Sequence, residues 1–361
     1  MRRFGLGILV LIGIGLGIAA VRAALTYFDA PFDGRTVFRY GHGQFADARN
    51  GVPAAPESEL QHKVQQALER ELTAAQLTSG SAAVMEVSTG KIVALAKVSG
   101  KGATELEAVP MGSTIKPLTV LVGLQEGLLR REDHFDDQGT YQYNGQTVSN
   151  QEGKANGDLT ASLAIEMSSN TFMAAKVAVP LYNKYSQNPG TAVTIWKRYL
   201  SNFGLGNLAD FDAEAARKGD LSALVNASWG QNERFTVLEL VQYAATLANH
   251  GTRMKLLYGD RDEPRVLSRS SLPQSDWDLL LEGMSGKVEP LDELPFRVAR
   301  KTGTSTEQKN GNTAINSLCI AYAPAESPKI AVAAAVPGGG LGSGIASRVA
   351  AASLRSALMP E

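Results

Sequence analysis

Two runs with the alternation of strands lie at residues 81–87 and 91–98, and three more (296–304, 315–322 and 329–336) come only near the other end of the chain. Ser88-Thr89-Gly90 reads as the hairpin turn of the first pair, and Ala323-Pro324-Ala325-Glu326-Ser327-Pro328 as the turn joining the last two. Between the groups, residues 111–281 carry a mostly helical pattern, with loops expected at 136–156 and 182–190. Outside them, Leu60, Val64, Leu68 and Leu72 make one face of a helix over 59–77, and Ile345, Val349, Leu354 and Leu358 make one over 343–359. Half-buried strands must find partners and a covering layer. This order therefore predicts an α+β fold: a five-stranded antiparallel sheet flanked by helices, with an all-helical insertion at about 111–290. No internal repeat is evident.

Composition narrows the function. Lys plus Arg number 35 and Asp plus Glu 36, a net charge of −1, and no basic cluster stands out, so the balance argues against a nucleic-acid binder that neutralises phosphates. With 44% hydrophobic and 20% charged residues the chain can bury a sizeable core. The single cysteine, Cys319, forbids an intrachain disulfide and sits in the apolar run Ser-Leu-Cys-Ile-Ala-Tyr, as a buried small hydrophobe would. His42, His62, His134 and His250 are not spaced as a metal pair, and neither a metal nor a cofactor is expected.

Residues 4–21 form an uncharged apolar run of eighteen, preceded by Arg2 and Arg3 and followed by Arg22. The run has the length of a short bilayer span, and the arginines before it favour a cytoplasmic N-terminus. A cleaved signal peptide is the rival reading, and both export the rest of the chain. The expected organisation is a membrane anchor at 1–22, a linker at 23–57 and one large folded domain at 58–361, a single-pass arrangement with that domain outside the cytoplasm.

Chemistry is suggested by three short segments. In Met111-Gly112-Ser113-Thr114-Ile115-Lys116-Pro117, Ser113 and Lys116 are three apart at the start of a helix, so the amine can reach the hydroxyl. A serine is a weak nucleophile until a base takes its proton, and a lysine can do so when burial or a neighbouring cation lowers its pKa. Ser168-Ser169-Asn170 interrupts two helical stretches, so that a hydroxyl and an amide can point at one spot. Lys301-Thr302-Gly303-Thr304 ends a strand before a polar loop at 305–312. There the lysine can supply positive charge, the threonines can hold a carboxylate, and Gly303 can let a substrate backbone lie close. Each has a plainer reading: a helix cap for Ser113, a cap for the Ser168 segment, an edge strand for Lys301. Ser88-Thr89-Gly90-Lys91 also matches Ser-x-x-Lys but reads as turn chemistry, and Ser186-Gln187-Asn188 repeats the second pattern within a polar loop.

Taken together and in this order, the three segments resemble those of the transpeptidase domain of penicillin-binding proteins, class B-like and in a short form. The resemblance runs over about 79–336. It includes the hairpin at 82–96, the segment from Trp229-Gly230-Gln231 to Gly251, and Ala321-Tyr322-Ala323-Pro324. It implies that Ser113 is acylated, Lys116 is its general base, Ser168 relays protons, Asn170 binds the substrate amide and Lys301 keeps the site positive. Thr302, Gly303 and Thr304 would bind the substrate's terminal carboxylate end, and the backbone N–H groups of Ser113 and Thr304 would form the oxyanion hole. The implied activity is peptidoglycan D,D-transpeptidation by a catalytic domain at 58–361, and the implied location is the bacterial inner (cytoplasmic) membrane, single-pass, with that domain periplasmic or extracellular. The partners implied are stem peptides ending in D-Ala-D-Ala, β-lactams as covalent inhibitors, the bacterial membrane through the N-terminal helix, and unidentified cell-wall synthesis proteins.

Departures from the family pattern are Val237 where Pro is usual, His250 where Gly is usual, and Ser317-Leu318-Cys319 in place of an aromatic-Val-Gly strand. With about 35 residues between anchor and domain, the family's N-terminal pedestal or glycosyltransferase module is expected to be absent. A D,D-carboxypeptidase is the nearest alternative, and a penicilloyl sensor or scaffold a further one. A serine β-lactamase would need a deacylating carboxylate, and Glu166 precedes Ser168 on the same predicted helix.

Overall fold

A computed structural model describes residues 58–99, 106–186, 189–206, 221–231, 233–259, 263–270, 272–309 and 311–359. The expected anchor and linker, residues 1–57, lie outside the described residues, as do Gln187 and Asn188. Among the described residues, no helix is long and apolar enough to cross a membrane.

Helix α1 (Glu59–Ala74) is capped by the Ser58 hydroxyl, which accepts from Gln61 N at 3.1 Å. Strands β1 (Gly80–Glu86) and β2 (Ile92–Val98) form the expected hairpin. Strands β11 (Ala299–Lys309), β12 (Asn312–Ala323) and β13 (Ile330–Val336) form a meander. One antiparallel sheet of five strands results, in the order β11-β12-β13-β1-β2, closed by β13 against β1 with Val84 opposite Val332. The strands alternate. Ala82 and Val84, with Cys319, Ala321, Val332 and Ala334, join the core beneath α1 and the C-terminal helix α11 (Ile345–Leu358). Val64, Leu68 and Leu72 of α1 are at most 2% exposed, each contributing about 1.5–3 kcal/mol by leaving water. Helix α8 (Val237–Ala248), buried along its length, covers the other face.

Between β2 and β11 the expectation of an all-helical insertion is corrected. Helices are present: α2 (Lys116–Gln125), α3 (Ala161–Glu166), α4 (Asn170–Phe172), α5 (Val179–Lys184), α6 (Pro189–Asn202), α7 (Leu221–Ala227), α8, α9 (Gln274–Gly283) and α10 (Glu289–Asp292). They are interleaved with four small antiparallel pairs. These are β3 (Val109–Pro110) with β8 (Arg234–Phe235), β4 (Phe135–Asp137) with β7 (Gly157–Leu159), β5 (Thr140–Tyr143) with β6 (Gln146–Ser149), and β9 (Thr252–Met254) with β10 (Val266–Arg269). The expected loop at 136–156 thus holds a hairpin, turned by Asn144 and Gly145 at φ 44° and 74°. Two successive positive φ values match the twist of a tight hairpin. The expected polar loop at 305–312 is likewise hairpin, since β11 runs on to Lys309 and β12 resumes at Asn312. Its cohesion comes from polar contacts: the Glu307 carboxylate takes Arg234 on one oxygen and Asn316 Nδ2 at 3.1 Å on the other. Part of the expected loop at 182–190 is helix, the end of α5 and the start of α6.

Candidate active site

Ser113 lies half-buried on a 3-10 turn, Gly112–Ile115, that runs directly into α2. In a 3-10 turn, positions i and i+3 eclipse, so Ser113 and Lys116 share a face more closely than on an α-helix. Pro117 is tolerated because it occupies the first turn of α2. The turn is clamped from three sides. Gly112 takes φ 53°, and a Cβ there would lie 2.5 Å from Thr304 O of β11. On the second side, Gly112 N donates to Gly230 O at 2.9 Å. Behind, Tyr243 of α8 donates its hydroxyl to Thr114 O at 3.1 Å and accepts from Leu118 N at 3.2 Å, bridging the change of helix type.

Strand β11 supplies the floor. Lys301, Gly303 and Ser305 are buried, while Thr302 and Thr304 are half-exposed. Ser305 Oγ donates to Pro110 O at 2.7 Å. A Cβ on Gly303 would meet Met111 O at 2.7 Å and Thr114 Cγ2 at 2.8 Å. What approaches this glycine on its bare side is the turn that carries Ser113, a closer reason for glycine than an approaching substrate. On the outer side, Gly342 N donates to Thr304 Oγ1 at 3.1 Å. A Cβ on Gly342 would lie 2.7 Å from Gly303 N.

The third segment closes the cleft. Ser169 caps α4 by accepting from Phe172 N at 3.0 Å, so the plain capping role belongs to Ser169 and leaves its neighbours free for other work. Ser168 adopts φ 59°, a region sparsely populated by residues with a Cβ. Lys116 Nζ donates to Ser168 O, to Ser168 Oγ at 3.1 Å and to Asn170 Oδ1 at 2.7 Å. Lys301 Nζ reaches the same Ser168 Oγ at 3.1 Å and Thr302 O at 3.1 Å. The hydrogen bonds that Lys116 makes therefore run to the Ser168 segment rather than to the Ser113 hydroxyl. Asn170 Nδ2 donates to Ser149 O at 2.9 Å, and its second hydrogen is available to another acceptor.

Both lysines are almost completely buried, 0% exposed for Lys116 and 5% for Lys301. Burial holds Lys116 well below the usual lysine range. The charge of Lys301 pushes it the same way, and Asp137 opposes the shift. Burial also lowers Lys301, to about 8. A buried lysine held well below its usual range, as Lys116 is, can serve as the neutral base that takes a proton from a serine.

The remaining candidates separate cleanly. Ser88 is exposed in the β1–β2 turn, where Lys91 N donates to Thr89 Oγ1 at 3.1 Å, as turn chemistry requires. Glu166 is exposed at the end of α3, where a Cβ on Gly286 would lie 2.7 Å from its Cγ. Cys319 is fully buried, and burial pushes its thiol up to about 11. Among the described residues, no group of His, Cys, Asp and Glu is placed to hold a metal ion. The departures have local reasons. Val237 stands at the first position of α8 after the Thr236 cap, where proline is one of several acceptable residues. His250, at φ 45°, occupies the left-handed conformation that glycine adopts at no cost. Ser317 Oγ donates to Leu341 O at 2.7 Å and so ties β12 to the Gly-rich segment before α11.

Gly230, Tyr243, Gly342 and Asp137 escape a reading for chemistry. The signals present were the Gly-rich run 338–344 and the tripeptide Trp229-Gly230-Gln231. Nothing local marks Tyr243 or Asp137.

A half-buried serine on a tight turn that leads into Lys116, with Lys116 and Lys301 both bonded to the Ser168 hydroxyl, gathers residue types that acyl transfer through a serine ester uses. The chain belongs to the family of the penicillin-binding protein transpeptidase domain, whose model matches residues 80–356. It is 29% identical to penicillin-binding protein 2A of Bacillus subtilis over 339 residues, 77% of this chain and 47% of that protein. It is 24% identical to peptidoglycan D,D-transpeptidase FtsI of Escherichia coli, over 80% of this chain and 52% of that one. The chain thus spans about half the length of these relatives. Among solved structures, penicillin-binding protein 2B of Streptococcus pneumoniae R6 superposes with a TM-score of 0.71 at 22% identity, covering 84% of this chain and 59% of that one. The transpeptidase domain of Burkholderia pseudomallei penicillin-binding protein 3 gives 0.67 at 19%, covering 85% and 97%. The α+β fold with its antiparallel sheet is the fold of these domains.

Proposed function

We propose that this chain is a serine D,D-transpeptidase of peptidoglycan, and that β-lactams acylate it at Ser113. The observation that carries the reading is the convergence of Lys116 and Lys301 on Ser168 Oγ, beside the turn that presents Ser113. Neutral Lys116 takes the Ser113 proton. The serine oxygen attacks the carbonyl carbon of the penultimate D-Ala, and the charge that develops on the carbonyl oxygen falls to the N–H groups of Ser113 and Thr304. Losing one such donor costs about 10²–10³ in rate. The C–N bond then breaks, and the proton returns through Ser168 to the departing D-Ala amine. An acceptor amine attacks the ester, the C–O bond to Ser113 breaks, and the proton lost by the amine passes through Lys116 to the Ser113 oxygen. Asn170 holds the substrate amide, Lys301 supplies positive charge, and Thr302, Gly303 and Thr304 receive the terminal carboxylate end. Anchoring by residues 4–21, with the catalytic domain outside the cytoplasmic membrane, belongs to the same proposal.

The test is incubation of the purified protein with a stem pentapeptide ending in D-Ala-D-Ala and an acceptor amine. Released D-Ala together with a cross-linked product supports the reading. Released D-Ala with hydrolysed tetrapeptide alone makes the protein a carboxypeptidase, and no release with folded protein overturns both.

A further inference from the structure

We propose that Asp137 is a positioning residue for acylation: a buried carboxylate that holds residues 168–171 in the conformation presenting Ser168 Oγ and Asn170 Oδ1 to Lys116. The inference rests on the reading of Ser113 as the nucleophile and assigns a role to a side chain that touches neither the nucleophile nor the substrate groove.

Asp137, at the end of β4, is 0% exposed and is surrounded by donors. Its Oδ1 accepts from Gly139 N at 2.9 Å, Asn150 Nδ2 at 2.9 Å and Thr171 Oγ1 at 2.7 Å. Its Oδ2 accepts from Asn150 Nδ2 at 2.8 Å, Asn156 Nδ2 at 2.7 Å and Ser169 Oγ at 2.7 Å. Ser169 and Thr171 are the two neighbours of Asn170, so the carboxylate pins both sides of that residue. Asn150, fixed by Asp137, turns its Oδ1 to the backbone, accepting from Asn170 N at 2.8 Å and Thr171 N at 3.3 Å. A loop that contains Ser168 at φ 59° keeps that conformation only when its surroundings over-determine it, and this network does so.

The chemistry demands an acid. With backbone and side-chain amide N–H groups on both oxygens, only an acceptor at both positions fits, and an amide in its place would set a donor against donors. Burial would raise the Asp137 pKa, but the hydrogen bonds from Asn156, Thr171, Gly139 N–H and Ser169 outweigh it and hold the carboxyl below its usual range. The charges acting on Lys116 are Lys301 from β11 and Asp137 from β4, with opposite signs. Asp137 therefore both places the acceptors of Lys116 and moderates its loss of a proton.

The experiment follows the rate of covalent labelling by a fluorescent penicillin against pH, for wild type, Asp137→Asn and Asn156→Ala, with folding checked by circular dichroism. Asp137→Asn is expected to label about 10- to 100-fold more slowly on the plateau, because the acceptors are misplaced. Its acidic limb should move to lower pH, because a negative charge beside Lys116 is gone. Asn156→Ala keeps the charge and loses one hydrogen bond to it. It should label about 3- to 10-fold more slowly, with the limb in place. A merely structural residue would scale the profile without moving it. Wild-type rates and an unmoved limb in folded Asp137→Asn would overturn the inference alone. If that variant does not fold, an unchanged rate in Asn156→Ala overturns it, and a slowed rate supports it. An unlabelled wild type would overturn the reading of Ser113 and this inference with it.

Discussion

Lys116 and Lys301 place their ammonium nitrogens at the same distance, 3.1 Å, from one oxygen, the Oγ of Ser168. With both lysines donating, the lone pairs of that hydroxyl are filled and its hydrogen is free to point into the cleft. In the proposed mechanism Ser168 passes on the proton that Lys116 takes from Ser113, while Lys301 keeps the oxygen polarised. Replacing Ser168 by Ala removes this path and leaves both lysines otherwise placed. Acylation by a labelled penicillin should slow by about 10²–10⁴-fold, the range of a lost general acid–base partner. A rate within twofold of wild type would remove Ser168 from the mechanism.

The two lysines also set the pH dependence. In the proposed mechanism Lys116 acts as a neutral amine, so acylation should rise with pH as that lysine sheds its proton, and burial brings this rise well below the ordinary lysine range. The same mechanism uses Lys301 as a cation, and burial lowers it to about 8, so the rate should fall above that pH. The predicted profile is a bell whose descending limb lies near 8. Lys301→Arg keeps the charge far above that pH and should erase the descending limb while lowering the plateau. Measured acylation rates between pH 5 and 10 decide this, and an unchanged descending limb in the arginine variant would assign it elsewhere.

Gly230 supports the turn carrying Ser113 by being bare. It has φ 86°, and a Cβ would lie 2.7 Å from both the N and C atoms of Gly112, and closer still to its carbonyl oxygen. Gly230→Ala should cost about 3 kcal/mol or more, combining left-handed strain with an overpacked backbone contact. It should also slow acylation by shifting Ser113. Gly145→Ala is the control, since Gly145 has φ 74° but nothing within 4 Å of the added carbon. Only the conformational cost of about 1–2 kcal/mol should appear there, with acylation unchanged. Urea unfolding of the two variants provides the comparison.

Tyr243 is fully buried, and its hydroxyl serves both Thr114 O and Leu118 N where the 3-10 turn becomes α2. Tyr243→Phe leaves a buried acceptor and a buried donor without that partner, which predicts a loss of about 1–3 kcal/mol in unfolding free energy. Acylation should fall as well, because the same bonds orient the turn carrying Ser113. A variant as stable as wild type would show that the junction holds without the bridge.

What the sequence made legible follows the range of the interactions. The outer helices and the five strands are encoded by residues a few positions apart, and periodicity finds them. The small hairpin of β5 and β6 carries its own signal, Asn144-Gly145, but its strands are short and polar, so no apolar alternation sets them apart from a loop. The outer half of the β11–β12 hairpin was hidden for a related reason. Thr306, Gln308 and Thr313 face solvent, so no apolar alternation marks it, and Glu307 holds it through Arg234 from a distant segment. The supports of the site were the least legible. Gly230, Tyr243 and Gly342 act on residues far away along the chain, so their roles appear only once the fold has brought the partners together.

Mass spectrometry of the intact and digested protein after exposure to benzylpenicillin tests the account at its centre. A single penicilloyl adduct on the peptide carrying Ser113, retained in Ser88→Ala and abolished in Ser113→Ala, is the predicted result. An adduct on another residue, or one that persists in folded Ser113→Ala, would contradict it.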